Sequence, residues 1–206
     1  MTHPIAPALA LVLVLACGCQ GLGTGGRPGC PVTPVDTAAI TAELRAQGTI
    51  GIGDDASRTT LGFAVERAGD ALTLVGFTPF GTRAFAIRQV GSELHVDDFV
   101  GRRMGVEPIW LADALHRAYF VLPPADAEQT ATGRRWRRAG EEITQHSGSD
   151  GAPRTRRFAR AEAGSTDVVT VEYARPPGAG VEIDNPWCGY HARLSLVRDD
   201  GNTHEQ

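Results

Sequence analysis

The sequence predicts a mainly β fold with helices, an α+β domain built as a curved antiparallel sheet or incomplete barrel under a helical lid. Two observations carry this. Over most of the chain, apolar and polar residues alternate in short segments, the two-residue period of strands with one buried face. Residues 108–122, PIWLADALHRAYFVL, instead repeat their apolar positions at helical spacing. Trp110, Leu111, Ala114, Leu115 and Ala118 form one broad face there before Pro123 and Pro124 stop the run.

In chain order, residues 36–47, DTAAITAELRAQ, read as a short helix, with Asp36 as N-cap and Ile40 and Leu44 four apart. The period then becomes two. Residues 60–67 place Leu61, Phe63 and Val65 on one face. Residues 71–77 set Leu72 and Leu74 against Val75 and Phe77, residues 83–90 align Phe85 with Ile87, and residues 93–96 align Leu94 with Val96. Four such strands joined by short polar turns make a meander. After the 108–122 helix, further strands are expected at 134–138, 141–146, 155–160, 168–174, 181–183 and 190–197, with a loop tip at 147–153. A sheet of this extent with one central helix curves around it. The apolar positions Leu61, Phe63, Leu72, Leu74, Phe85, Ile87, Trp110, Leu111, Leu115, Val171 and Tyr173 then line either a filled core or a cavity.

The charge balance, 20 basic residues against 24 acidic, gives no electrostatic footprint for nucleic acid. All the basic residues are arginine, and Arg134, Arg135, Arg137 and Arg138 surround Trp136. That segment reads either as a contact for anionic head groups or as a solvated strand face with Trp136 turned inward. His95, Asp97 and Asp98 cannot all share one strand face, so no metal site is assigned. The Gly51-Ile52-Gly53 run lacks the helix a phosphate loop needs, and Ser147 and Ser149 lack a nucleophile elbow. His116 is expected at the helix surface. No catalytic residue and no cofactor is assigned, and the chain is expected not to be an enzyme.

The N-terminus adds a compartment. Residues 5–16, IAPALALVLVLA, are too few to span a bilayer as a helix and suit the core of a signal peptide. The following Val14-Leu15-Ala16-Cys17-Gly18-Cys19-Gln20 resembles the lipobox of bacterial lipoproteins, and either Cys17 or Cys19 can be the acylated anchor. Val14 favours Cys17, whereas acylation of Cys19 leaves Cys30 and Cys188 as the disulfide candidates. Gly18 or Gln20 in the position after the anchor implies, by the same resemblance, sorting to the periplasmic face of the outer membrane. Residues 21–34, rich in Gly and Pro, read as a flexible tether. The expected organisation is a signal peptide (1–16), an acylated tether (17–35), one domain (36–200) and a disordered tail (201–206).

Two stretches carry a further resemblance: residues 74–87, LVGFTPFGTRAFAI, and residues 181–190, VEIDNPWCGY. They resemble an uncharacterised family of predicted outer-membrane lipoproteins often encoded beside aryl polyene synthesis genes. More distantly, the first stretch and the order of elements over 36–198 are similar to LolB, the outer-membrane receptor of lipoprotein sorting. That resemblance implies a half-barrel with a cavity for acyl chains and a protruding loop that touches the membrane. Here Pro79, Phe80 and Gly81 stand in that loop, with Phe where LolB carries Leu. It further implies a lipid or lipidated cargo, a periplasmic LolA-like carrier as partner, and a monomer. The alternative is a structural or interaction lipoprotein with a filled core and no ligand.

Overall fold

Each alternating segment pairs with its neighbours in sequence, and in the computed structural model the result is one twelve-stranded antiparallel sheet. The structure describes residues 32–40, 44–53, 58–100, 102–160, 168–175 and 180–198. One half holds β1 (Arg45–Ile52), β2 (Thr59–Ala68), β3 (Ala71–Phe77), β4 (Arg83–Val90) and β5 (Glu93–Asp98). The other holds β6 (Glu128–Thr130), β7 (Gly133–Arg138), β8 (Glu141–Ser147), β9 (Pro153–Arg160), β10 (Val168–Tyr173), β11 (Val181–Asn185) and β12 (Tyr190–Arg198). Their order across the sheet is β5-β4-β3-β2-β1-β12-β11-β10-β9-β8-β7-β6. The chain starts in the middle, walks out to β5, crosses to β6 through residues 99–127, and returns until β12 closes on β1. The sheet is open and curved, with β5 and β6 as its two free edges.

The crossing segment carries the one α-helix of the described residues, α1 (Pro108–Leu115). Pro108 opens it where its missing N–H costs nothing. The helix continues as a π-helical turn, His116–Phe120, closed by the Val121 N–H on the His116 carbonyl at 2.9 Å. α1 packs on β4 and β5, and Leu111, Ala112, Ala114 and Leu115 are buried in the same core as Leu61, Leu74 and Phe85. Burial in β3 falls on alternate positions, Leu72, Leu74 and Gly76, the period read from the sequence.

Two expectations are corrected. Among the described residues of 36–47 there is no α-helix: a 3-10 turn, Thr37–Ala39, is capped by Asp36 on the Ala38 N–H at 2.8 Å, and β1 begins at Arg45. A helix that short is marginal by itself, whereas β1 pairs along both edges, with β2 and β12. The 108–122 helix is shorter than its apolar pattern, because its last turn widens to π geometry.

Gly48 shows why β1 is closely specified. A Cβ added there would lie 1.9 Å from the Ser195 carbonyl oxygen of β12 and 3.0 Å from the Phe63 ring of β2. Gly48→Ala must part the strands that join the two halves, and a loss of about 2 kcal/mol or more is expected in urea unfolding. Gly62→Ala, whose added carbon meets nothing nearer than 3.8 Å, serves as the near-neutral control.

Candidate functional site

Antiparallel pairing throughout puts the C-terminal ends of β1, β3, β5, β7, β9 and β11 on one rim of the sheet. The β3–β4 hairpin tip on this rim is held by Thr78 N–H to Thr82 O at 2.8 Å, Gly81 N–H to Thr78 O at 2.9 Å, and a 2.7 Å hydroxyl pair between Thr78 and Thr82. Gly81 has the positive φ, +77°, that such a turn needs. The braced tip holds Phe80 93% exposed between Pro79 and Gly81. Phe99, 52% exposed, follows β5 on the same rim, its N–H bonded to Ala84 O at 3.0 Å. Arg138, the last residue of β7 on this rim, donates to the carbonyls of Thr33 and Pro34 at 3.1 and 2.7 Å, and the segment then runs to the β2–β3 and β4–β5 turns of the opposite rim.

The expected cavity residues do come together, under α1. Leu61, Phe63, Leu72, Leu74, Phe85, Ile87, Leu111, Leu115 and Val171 all belong to the buried core, while Trp110 and Tyr173 are partly buried against it. Leu72, Leu74, Phe85, Ile87, Leu111 and Val171 are 0% exposed. The helix seals this apolar wall.

Beneath the rim lies a group of polar residues that the sequence reading passed over. Asp113 and Arg117, one helical turn apart, are both buried, and Arg117 Nε donates to the Asp113 carboxylate at 2.9 and 3.1 Å. Asp113 Oδ2 also accepts from Tyr190 OH at 2.6 Å and Asn185 Nδ2 at 2.8 Å. The remaining Arg117 nitrogens fork onto Glu141 at 3.2 and 3.1 Å. The guanidinium carbon lies 4.6 Å from the Phe158 ring centroid and 5.2 Å from that of Trp187, whose ring also carries Arg160 at 4.5 Å. Burial opposes the Arg117 charge, but Asp113 and Glu141 more than offset it and raise its pKa. Burial and the adjacent Asp113 push the Tyr190 hydroxyl well up, so it stays a donor. Asn185, Trp187 and Tyr190 all come from the 181–190 stretch singled out in the sequence. Their meeting point, Asp113 with Arg117, was signalled only by an i, i+4 charged pair inside an apolar run.

His116 corrects another expectation: it is buried, not at the helix surface. Its Nδ1 accepts the Val35 N–H at 3.0 Å, which leaves Nε2 to donate to Gln89 Oε1 at 2.8 Å. Gln89 Nε2 in turn donates to the carbonyls of Val35 and Gly91, each at 2.7 Å. Thr37 extends the contact, donating to Asp70 O at 2.7 Å and accepting from Gly91 N–H at 2.8 Å. Residues 33–37 thus strap β7, the helix and the β4–β5 turn together across the open seam. Desolvation, helped by Arg138, pushes the His116 pKa down to about 3.

The π turn has its own partners. Freed from the regular ladder, the Arg117 carbonyl accepts from Arg156 Nη1 at 2.8 Å and the Ala118 carbonyl from Tyr173 OH at 2.8 Å. Trp136 is turned inward and buried, while Arg134, Arg135 and Arg137 are exposed. Arg135 pairs with Glu128 at 2.8 Å and Arg137 with Glu142 at 3.6 Å, the geometry of a solvated strand face. A hollow of about 580 Å³ beside them is lined by Asp126, Glu128, Glu142, Arg135 and Arg137 among others, a polar surface unlike a hydrocarbon site. Among the described residues no three His, Cys, Asp or Glu side chains gather as metal ligands, and no helix is long and apolar enough to cross a membrane. Cys188 is disulfide-bonded. Cys17, Cys19 and Cys30, the signal segment 1–16 and the tail 201–206 lie outside the described residues.

No curated protein matches the chain. Among solved structures, it is similar to a DUF1329 family protein from Desulfovibrio piger, at 8% identity over 80% of this chain and 90% of that one. The TM-score is 0.32, and a likeness that loose carries no argument. A family model matches residues 44–197, from the start of β1 to the end of β12, so the chain belongs to the family described as protein of unknown function DUF3261.

Proposed function

We propose that this chain is a non-catalytic lipoprotein, held by an acylated Cys17 or Cys19 on the periplasmic face of the outer membrane. It takes up an acyl chain, a lipidated protein or a polyene-lipid against the concave face of its sheet and helps place that cargo in the membrane. A periplasmic LolA-like carrier would deliver it. One observation carries the reading: the sheet's buried apolar positions share their core with a single helical piece of eight plus five residues, packed on β4 and β5, whose π turn is tied to the sheet by polar contacts. A hydrocarbon tail can replace the apolar contacts of such a plug like for like, at about 0.8 kcal/mol per buried CH₂. The exposed Phe80 and Phe99 on one rim suit a domain that faces a bilayer with that rim.

Full-length chain, extracted and analysed by native mass spectrometry, should carry lipid or take up a fluorescent fatty acid. Absence of both would remove the proposal and favour a second reading, a structural or interaction lipoprotein with a filled core. The complete burial of Leu72, Leu74, Phe85 and Ile87 favours that reading. Phe80→Asp separates the loop from the fold. It should leave the urea midpoint within about 0.5 kcal/mol of the parent, since the ring touches so little. It should also slow delivery of the bound fatty acid to vesicles.

A further inference from the structure

Arg156 is the least expected residue of the interior. It sits on β9 and is 2% exposed, yet its partners are neutral: Gln145 Oε1 accepts from Nε at 3.2 Å and from Nη2 at 2.7 Å, and the Arg117 carbonyl accepts from Nη1. Its guanidinium carbon lies 5.6 Å from the Tyr173 ring centroid and 6.0 Å from that of Trp136. A buried cation is ordinarily matched by an anion, because leaving water costs it far more than neutral acceptors return. Arg117, nearby, has two carboxylates. Among the described residues, Arg156 has none in its hydrogen bonds.

A second observation points the same way. The Trp136 indole Nε1–H is buried without a hydrogen-bond partner among the described residues. Native interiors rarely leave such a donor unpaired, and an exception calls for a reason. The Tyr173 hydroxyl, also beside Arg156, is satisfied only by the carbonyl of Ala118 in the π turn. A cation, an orphan N–H and a hydroxyl donor therefore lie in one neighbourhood, with the guanidinium over both rings. Two of the three are occupied by backbone carbonyls of the helical plug, and each carbonyl carries only a partial negative charge.

We propose that Arg156, Tyr173 and Trp136 form the head-group site for an anionic acyl chain, a carboxylate or phosphate, for which the Arg117 and Ala118 carbonyls stand in while the plug is seated. The inference rests on the reading that an acyl chain displaces the plug. When the helix moves, Arg156 Nη1 and Tyr173 OH lose their acceptors together, and an anionic head restores both while giving the buried guanidinium a full counter-charge. Gln145 keeps the guanidinium in place throughout, so the site is positioned before the ligand arrives. The tail then lies along the wall that the helix vacates.

Binding of palmitate and of hexadecanol to the full chain tests this, because the two share a tail and differ in the charge of the head. Palmitate is expected to bind about tenfold more tightly, as for a charge-assisted hydrogen bond. Arg156→Met should reduce that ratio to about one while hexadecanol affinity stays, and Arg156→Lys should keep part of the preference. Trp136→Phe, which removes only the N–H, should lower the ratio without loss of hexadecanol binding, and it serves should Arg156→Met fail to fold. Equal affinity of the parent chain for both ligands would overturn the head-group site and leave the acyl-chain reading standing. So would a preference that survives in folded Arg156→Met. Binding of neither ligand would overturn both.

Discussion

Asp113→Ala should cost about 3–5 kcal/mol in urea unfolding, a large share of the roughly 5–15 kcal/mol that holds a domain of this kind together. The carboxylate accepts from Arg117, Asn185 and Tyr190 at once, all three in a buried setting. Its loss strands a guanidinium with Glu141 alone and leaves a phenol and an amide without their acceptor. Removing both ends of the ion pair should be gentler than the sum of the two single changes. The double variant Asp113→Leu with Arg117→Met replaces charge by packing, so a double-mutant cycle should return a coupling of about 1–3 kcal/mol. A cost below about 1 kcal/mol for Asp113→Ala would contradict a structural role for the cluster. The same substitution should speed fatty-acid uptake, because the cluster fixes the helix to β8, β11 and β12.

The second large effect is on pH. His116 is neutral when folded, with its pKa at about 3 against 6.5 when free. Between those values the unfolded chain takes up a proton that the folded chain refuses. The stability from this residue is complete above pH 6.5 and falls by about 1.4 kcal/mol per pH unit as the solution is acidified towards pH 3. From pH 7 to pH 4.5 the loss should be about 2.5 kcal/mol, read as a shift in the urea midpoint. The geometry gives the reason: a proton on Nδ1 would face the Val35 N–H, two donors with no acceptor between them. His116→Asn, which cannot titrate, should flatten the profile over that window. A parent profile already flat between pH 7 and pH 4.5 would contradict the buried neutral histidine. Acidification should also loosen the 33–37 strap before the sheet unfolds.

Where residues speak for themselves through local pattern, the fold was legible. The alternation of Leu72 with Leu74 and of Phe85 with Ile87 located β3 and β4, because a sheet with one buried face leaves that mark on each strand separately. β1 was not legible. Its first half, Arg45 to Gly48, carries no buried large side chain, and its conformation comes from two long-range partners rather than from its own sequence. β6 is three residues long and too short to show a period.

The candidate site divides in the same way. Phe80 stood out because an apolar ring between Pro and Gly has nothing local to pack against, and it is exposed. His116 was expected at the helix surface, and Asp113 and Arg117 were passed over, because one apolar stripe usually leaves the other side wet. Here α1 is enclosed on its polar side as well, by Tyr190, Asn185, Glu141 and the 33–37 strap. Strands far apart in sequence supply those partners, which no window along the helix can reveal.

The claim on which the account turns is that α1 is a plug and not a permanent part of the core. Hydrogen exchange at the amides of residues 111–118, with and without saturating palmitate, addresses it directly. The account predicts slow exchange in the free chain and clearly faster exchange once the ligand is bound, with β3 and β4 still protected. Palmitate that binds while these amides stay equally protected would contradict it.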